Sequence, residues 1–324
     1  MPTLDAGAAL AECLRSLETQ TFDRFEVIVI DNSGGLAQIN SARARVILNE
    51  RNVGFGAAVN QAYRASEAPY LATLNDDAVA HPHWLEELVS AAEARPRAGM
   101  CASQVRLAGS DRLDSAGMTI AADASSKQRG HDEPPAKFDQ VRDALFPSGS
   151  AALYRRAMLE ETGLLAEEFF LYCEDTDLGL RGRWANWECA YVPRAIVEHR
   201  YSHSAGRASA LKAYYVERNR IYTAIRNFPL GMLAWAPFAS VERYFWHLIS
   251  LVEGRGKAAE FRGAGYPALL LPFLVLWAHA SALVKLPRLL SERRRIRGTA
   301  RITPREFRAL LALHSISVRQ VAAH

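Results

Sequence analysis

From Ala8 to Ala94 the chain alternates helix-type and strand-type hydrophobic patterns, and two of the strand-type runs lead into carboxylates. Ala8 to Thr19 sets Leu10, Cys13, Leu14 and Leu17 on one helical face, Phe25 to Ile30 (FEVIVI) is a β-branched run ending at Asp31, and Ala44 to Leu48 (ARVIL) is a second such run. After Gly54 and Gly56 a helical stretch reaches Ala65, Tyr70 to Leu74 forms another strand, and Pro82 to Ala94 carries Trp84, Leu85, Leu88 and Val89 on an apolar face. Such a βαβ succession favours a mostly parallel sheet covered on both faces, with ligands at the carboxyl ends of the strands. Asp31 and the Asp76, Asp77 pair fall at those ends.

Composition sets the scale. With 324 residues, 49% hydrophobic and 23% charged, the chain can bury a large core as one large domain or one domain plus an appendage. The net charge of +4 is mild, but Arg288, Arg293, Arg294, Arg295 and Arg297 are bunched and suit an anionic membrane surface. Cys13, Cys101, Cys173 and Cys189 lack CxxC spacing, which points to reduced thiols in a cytosolic setting and away from zinc. Met1 to Ala9 lacks a charged segment followed by an apolar one, so no signal peptide is expected.

Residues 109–143 read as a long loop or hairpin excursion. Residues 145–155 look like a strand in which Gly149 allows either close backbone approach to a ligand or a bulge. A short helix over Arg156 to Glu161 ends at Gly163. A second acidic cluster, Phe169 to Asp177 (FFLYCEDTD), opens a helix at Glu174. Two readings stand there. Asp177 and Arg181 are spaced for a helix salt bridge, and Glu174 and Asp175 for capping the first turn. Alternatively this cluster and Leu74 to Asp77 (LNDD) are two carboxylate sites that the fold brings together, one holding a metal on a departing diphosphate and one deprotonating an attacking hydroxyl. Further on, Tyr191 and Val192 end a strand before Pro193, and Ala195 to Glu198 leads to His199, with His203 beyond. A lone histidine there is either structural or a divalent-metal ligand.

The order and spacing of PTLDAG (Pro2 to Gly7), VIVIDNSG (Val27 to Gly34), NVGFGAAVN (Asn52 to Asn60), LNDDAVAHPHWLEEL (Leu74 to Leu88), FLYCEDTDLGLR (Phe170 to Arg181) and VEHRYSHSAG (Val197 to Gly206) resemble the inverting family 2 glycosyltransferases, in particular the bacterial rhamnosyltransferase-like group. The resemblance covers roughly the first two thirds of the chain. It implies an α/β fold of the GT-A (Rossmann-like) type, a mostly parallel mixed sheet flanked by helices. Thr3, Asp5 and Asp31 match positions that hold the nucleotide's base and ribose, and Asn52, Gly54 and Gly56 match the segment lining the nucleotide pocket. Asp76 and Asp77 match the DXD-type site, Asp77 as metal ligand and Asp76 nearer the sugar or ribose. His199 matches a histidine completing the metal site. Asp175 matches the catalytic base, with Glu174 as the alternative. The implied cofactor is Mg²⁺ or Mn²⁺. The implied partners are a nucleotide-diphosphate sugar donor, best matched by rhamnose, and a glycan or lipid-linked acceptor in cell-envelope polysaccharide synthesis, with no nucleic acid. Members of the family carry a full apolar strand before the PT motif, whereas here Met1 directly precedes Pro2, so the first strand is expected to be missing and its place in the sheet empty.

Residues 1–208 read as the GT-A catalytic domain and 209–324 as a helical, membrane-associating region. Pro267 to Leu286 is nearly continuous apolar and approaches the length that spans a bilayer, yet Pro267, Pro272, His279 and Pro287 favour an interfacial helical hairpin. Residues Arg288 to Arg297 would face anionic cytoplasmic lipid, placing the protein peripherally on the inner face of the cell membrane. A nucleotidyltransferase and a catalytically silent glycan- or nucleotide-binding protein are the alternatives.

Overall fold

The computed structural model describes residues 1–35, 44–200 and 209–323. His203 and the end of the VEHRYSHSAG motif lie outside them. The first part runs β1 (Pro2–Thr3), α1 (Ala8–Glu18), β2 (Val27–Asp31), β3 (Ala44–Leu48), α2 (Phe55–Arg64), β4 (Tyr70–Leu74), β5 (Ala78–Ala80), α3 (Trp84–Ala94) and β6 (Ala98–Leu107). An excursion follows, with β7 (Leu113–Ser115), β8 (Met118–Ile120), β9 (Ser126–Gln128) and β10 (Arg142–Asp143), and then β11 (Ala151–Arg155), α4 (Arg156–Thr162), α5 (Glu174–Trp184) and β12 (Glu188–His199). Helices α6 (Ala210–Asn227), α7 (Leu230–Val252), α8 (Gly256–Gly263), α9 (Leu270–Gly298), α10 (Pro304–Leu313) and α11 (Val318–Ala323) complete it.

β1, β2 and β3 pair in parallel, and β2 is buried along its whole length, as an apolar run covered on both faces must be. The larger sheet has the order β10-β12-β6-β11-β4, with β5 on β12 and β7 on β6. The expected mixed sheet flanked by helices is therefore present, with more antiparallel pairing than the βαβ pattern suggested. Among the described residues only β12 with β6 is parallel in the larger sheet, while β11 runs against both β6 and β4. The connection explains this: β11 returns from the excursion over residues 109–143, and only a helical crossover imposes parallel pairing. The strand expected over 145–155 begins at Ala151, because the preceding segment is bound to α5. β12 passes through Pro193, and a register shift between Val192 and Ile196 accommodates the residue that cannot donate to the ladder.

β1 is two residues long and among the described residues pairs only with β2, so no ladder there joins the three-stranded sheet to β4. The apolar surface expected to be bared there is nevertheless covered. Met1, Leu10, Cys13, Leu14 and Leu17 pack into one buried cluster with Val29, Leu74 and Ala78. The terminal amine donates to the Ile28 carbonyl at 2.9 Å, and burial pulls its pKa down to about 6.

The C-terminal helices pack directly on α5. Trp184 stacks on Phe307 with ring centroids 3.9 Å apart, and Arg226 and Asn227 of α6 reach Asp177. The segment 267–286 is not a hairpin: from Leu270 on it belongs to the single 29-residue helix α9, about 44 Å long at 1.5 Å per residue. Pro272 sits in its first turn, where a missing N–H breaks no helical bond. Phe273, Leu276, Trp277, Leu283 and Val284 of α9 and Trp235, Phe238, Val241 and Phe245 of α7 are exposed. Four of the five arginines of the stretch bond within the protein, and Arg294 is exposed. Arg288 pairs with Glu168 at 2.6 Å, Arg293 donates to the Ile225 carbonyl, Arg295 pairs with Glu292, and Arg297 lies over the Trp184 ring and donates to the Asn227 carbonyl. The buried Arg293 and half-buried Arg297 take the nearest acceptors, and those belong to the protein.

Candidate active site

The site is assembled at the carboxyl end of β4. Leu74 pairs with Ala151, and Asn75 N–H donates to the Ser150 carbonyl at 2.9 Å, so the Asp76–Asp77 segment leaves the sheet beside Gly149 and Ser150. Thr3 Oγ1 donates to Asp76 Oδ2 at 2.7 Å, tying the two sheets together across the missing ladder. Burial, opposed by that hydrogen bond, leaves the Asp76 carboxyl above its ordinary value. Thr3 is in register with Asp31, which is fully buried and accepts the Ser33 N–H at 2.7 Å. Asp5 is exposed nearby, its carbonyl accepting from Thr3 Oγ1.

His199 is the last residue of β12, and its pairing with Ala78 of β5 sets it against Asp77. Nε2 lies 3.2 Å from Asp77 Oδ1 and Nδ1 lies 2.8 Å from Asp114 Oδ2. Burial pulls the imidazolium pKa down, but the Asp114 and Asp77 carboxylates outweigh it and push it up to about 9. A carboxylate on Nδ1 fixes the tautomer and aims Nε2, as in carboxylate–histidine–metal arrangements. Among the described residues no group of three His, Cys, Asp or Glu ligands is assembled. A two-donor site of this kind suits a hard divalent ion whose remaining ligands are phosphate oxygens and water. Asp114 carries no motif in the sequence, and only the β6–β7 pairing brings it here.

Across β4 and β11, Asp175 Oδ2 accepts the Gly149 N–H at 2.9 Å and Oδ1 accepts the Thr176 N–H at 2.6 Å. The close approach expected at Gly149 is thus to a catalytic candidate: a Cβ there would lie 3.5 Å from both Cβ and Oδ2 of Asp175. Asp175 is half-buried, whereas Glu174 is buried and its Oε2 has no hydrogen-bond partner. Burial raises both carboxyls, and with Asp175's charge added it pushes Glu174 to about 8. Asp177 makes the predicted helix salt bridge, with Arg181 Nε donating at 2.8 Å, and accepts Arg226 Nε at 2.8 Å as well. It holds α5 and α6 together.

The loop before α5 is strained. Phe170, Tyr172 and Cys173 have φ of 62°, 69° and 66°, each costing about 1–3 kcal/mol in a residue with a side chain. α6 clamps it: the buried Asn219 amide donates to the carbonyls of Phe169, Leu171 and Tyr172 at 2.8–2.9 Å. Gly54 clamps it from the other side. Its φ of +86° and the bond from Phe55 N–H to the Phe170 carbonyl (2.8 Å) bring the two chain segments together, and Asn52 Oδ1 caps the turn by accepting the Gly54 N–H at 2.8 Å. Gly56 packs on Leu165. A cleft of about 560 Å³ opens beside this turn between Asn52, Gln61, Arg64 and Phe170, and of the predicted site residues it is lined by Asn52 alone. Neither Asn219 nor the strained φ values had a sequence signal, since both depend on α6 returning over a loop far from it in the chain.

The sequence of residues 1–163 matches the model of Glycosyl transferase family 2. The chain belongs to that family. It is a glycosyltransferase, and the nucleotidyltransferase reading falls away. The N-acetylglucosaminyl-diphospho-decaprenol L-rhamnosyltransferase of Mycobacterium tuberculosis (strain CDC 1551 / Oshkosh) is 30% identical over 248 residues, covering 66% of this chain and 79% of that protein. Among solved structures, GalNAc-T7 with UDP, GalNAc and Mn²⁺ superposes with a TM-score of 0.59 at 13% identity, over 75% of this chain. The chain spans about half, 49%, of the GalNAc-T7 chain. The mannosyltransferase PcManGT of Pyrobaculum calidifontis, in complex with GDP-Man and Mn²⁺, superposes with a TM-score of 0.50 at 16% identity, over 92% of this chain and 84% of that one. Both are likenesses of the GT-A glycosyltransferase fold.

Proposed function

We propose that the protein transfers rhamnose, with inversion, from a nucleotide-diphosphate donor to a hydroxyl of a lipid-linked acceptor at the cytoplasmic membrane surface. Residues 1–208 carry out the transfer and 209–324 attach the enzyme to the membrane. The observation that carries the reading is the pairing of two unlike carboxylate sites across the β4–β11 end, Asp77 with His199 on one side and the amide-held Asp175 on the other. The choice of rhamnose and of a lipid-linked acceptor is supported by the name of the mycobacterial relative.

Asp77 and His199 would hold Mg²⁺ or Mn²⁺, which supplies Lewis-acid stabilisation of the charge that develops on the departing diphosphate. The Asp77 carboxylate and the diphosphate oxygens are hard donors that fit either ion. Both solved neighbours contain Mn²⁺. Thr3, Asp5, Asp31 and Asn52 are assigned to the base and ribose as hydrogen-bonding groups, Asp76 to the sugar or ribose, and Gly54 and Gly56 to the shape of the turn. Asp175 takes the proton from the acceptor hydroxyl as its oxygen bonds to the anomeric carbon and the bond to the diphosphate breaks. Its two amide hydrogen bonds fix the carboxylate, and partial exposure makes it a better base than Glu174, which is shut away from solvent. One base and no enzyme nucleophile give a single displacement.

Membrane attachment rests on the exposed aromatic and aliphatic residues of α7 and α9, which suit the bilayer interface. The test is nucleoside-diphosphate release from dTDP-rhamnose with Mn²⁺ and a polyprenyl-diphosphate-linked acceptor. Release that is abolished in Asp77→Ala supports transfer. Nucleotide binding without turnover in the wild type would favour the silent reading.

A further inference from the structure

The hairpin of β8 and β9 reaches Asp175 through two hydroxyls. Asp175 Oδ1 accepts from Thr176 twice, from its N–H at 2.6 Å and from its hydroxyl at 3.3 Å, and that same hydroxyl lies 2.9 Å from Ser126 Oγ of β9. Thr176 is fully buried and Ser126 half-buried. A threonine hydroxyl has one proton. With that proton given to the carboxylate, Thr176 Oγ1 accepts from Ser126, so the β9 hydroxyl orients the hydroxyl that orients Asp175. The Gly149 and Thr176 amides are backbone donors that any side chain at those positions would leave in place. Among the described residues the Thr176 hydroxyl is the side-chain donor to Asp175.

The hairpin is anchored firmly enough to serve this purpose. Ser126 is in register with Ile120, Ala121 N–H donates to the Ser125 carbonyl at 2.8 Å, and Ser125 N–H donates to Asp123 Oδ1 at 3.0 Å. Within that turn Ala124 has a φ of 68°, a conformation that a residue with a side chain keeps only where its surroundings impose it. The buried Asp123 ties the turn to two helices. Its Oδ2 accepts Arg243 Nε of α7 at 2.6 Å, and its carbonyl accepts Arg220 Nη1 of α6 at 2.6 Å. Glu217 closes the network by accepting Arg220 Nη2 at 2.5 Å and Arg243 Nη2 at 2.6 Å. All four side chains are buried, and moving any one of them strands a charge away from water, so the joint between hairpin, α6 and α7 is stiff.

We propose that Thr176 and Ser126 are positioning residues for the sugar transfer: their linked hydroxyls fix the Asp175 carboxylate toward the acceptor hydroxyl and favour its ionised form. This rests on the reading of Asp175 as the base. It also gives the excursion over 109–143 and helices α6 and α7 a part in the chemistry besides attachment. A donor hydrogen bond stabilises a carboxylate, so removing the Thr176 hydroxyl raises the pH at which Asp175 ionises. The titratable groups facing Asp175 are Glu174 and Cys173 on its own segment and Tyr154 of β11, while β9 and α2 present the uncharged Ser126 and Phe55. Burial pushes the Cys173 thiol and the Tyr154 hydroxyl well above their ordinary values, which leaves Glu174 as the neighbour that titrates with Asp175, in wild type and variants alike.

The experiment uses the full chain carrying carbon-13 in its aspartate carboxyls. The Asp175 signal is assigned as the one missing from Asp175→Asn and is followed by NMR through a pH titration. In parallel, nucleoside-diphosphate release from dTDP-rhamnose with Mn²⁺ and the polyprenyl-diphosphate-linked acceptor is measured across pH. Thr176→Val removes the hydroxyl at nearly constant shape. It should raise both the Asp175 midpoint and the acid limb of kcat by about one pH unit, so that turnover below the limb falls about tenfold, with KM for dTDP-rhamnose unchanged. Thr176→Ser should restore both, and Ser126→Ala should shift both in the same direction by less. An Asp175 midpoint in folded Thr176→Val equal to that of wild type would overturn the proposal. So would a loss of turnover that is uniform across pH and shared with KM, which marks a merely structural role. If Thr176→Val does not fold, Ser126→Ala on the half-exposed hairpin carries the test, and an unmoved midpoint there overturns the proposal as well. Asp175→Asn turning over near the wild-type rate would count against Asp175 as the base, whereas its inactivity together with an unmoved midpoint in Thr176→Val would count against the hydroxyl pair alone.

Discussion

Gly54→Ala is the sharpest test of how the nucleotide-side turn and the acidic loop are joined. An added Cβ would meet the Phe170 carbonyl oxygen at 2.4 Å and Phe170 Cδ2 at 2.8 Å, on a residue with φ of +86° and ψ of 165°. That backbone region is essentially reserved for glycine and costs about 1–3 kcal/mol with a side chain. Displacing packed atoms adds about 1–3 kcal/mol. The expected loss is therefore about 2–6 kcal/mol, a large share of the stability of an ordinary domain. Gly109→Ala is the control: its φ is +73°, but nothing lies within 4 Å of the added carbon, so only the backbone cost of about 1–3 kcal/mol applies. Urea unfolding followed by tryptophan fluorescence measures both. Gly54→Ala should fall further by the steric part, and activity should fall with it because Phe170 leads into Glu174 and Asp175. Equal losses in the two variants would refute the close contact between the turn and the loop.

Asp114→Asn should weaken Mn²⁺ affinity by about 10- to 100-fold without touching the metal, because His199 loses the carboxylate that orients it; titration calorimetry with dTDP present reads this out. Glu174 has a folded pKa raised from the ordinary 4.5 to about 8, so the native state holds a proton that the unfolded state releases, and stability falls as pH rises between those values. Denaturation midpoints of wild type should decline across that window, and those of Glu174→Gln should stay flatter; parallel curves would contradict the raised, buried carboxyl. Co-sedimentation with phosphatidylglycerol vesicles should persist at high salt, since Arg288, Arg293, Arg295 and Arg297 bond within the protein and attachment is left mainly to apolar side chains. Phe273→Ser with Trp277→Ser should reduce it, each buried side chain being worth about 1.5–3 kcal/mol.

Much of the frame was legible because periodicity and strand ends are local properties. β3 and β4 occur at the residues their patterns indicated, and α5 starts at Glu174 as its acidic first turn indicated. The salt bridge from Asp177 to Arg181 could also be read from i, i+4 spacing. What the sequence concealed is non-local. Asp114 meets His199 only because β7 folds back on β6, and Asn219 meets the loop before α5 only because α6 returns across it. Charge in a sequence does not disclose its partners: Arg288, Arg293, Arg295 and Arg297 bond within the protein, and Arg294 stays exposed. Met1 and the apolar face of α1 share one buried cluster with Val29 and Leu74, a contact that packing alone decides.

The central claim is that Asp77 and Asp175 serve one reaction in different roles. Asp175→Asn, nearly isosteric, should bind dTDP with Mn²⁺ as wild type does while its turnover of dTDP-rhamnose falls by about 10²- to 10⁴-fold, the usual worth of a positioned base. Asp77→Ala measured beside it should lose the metal-dependent binding itself. Turnover near the wild-type rate in Asp175→Asn, with the protein folded and nucleotide bound, would contradict the account.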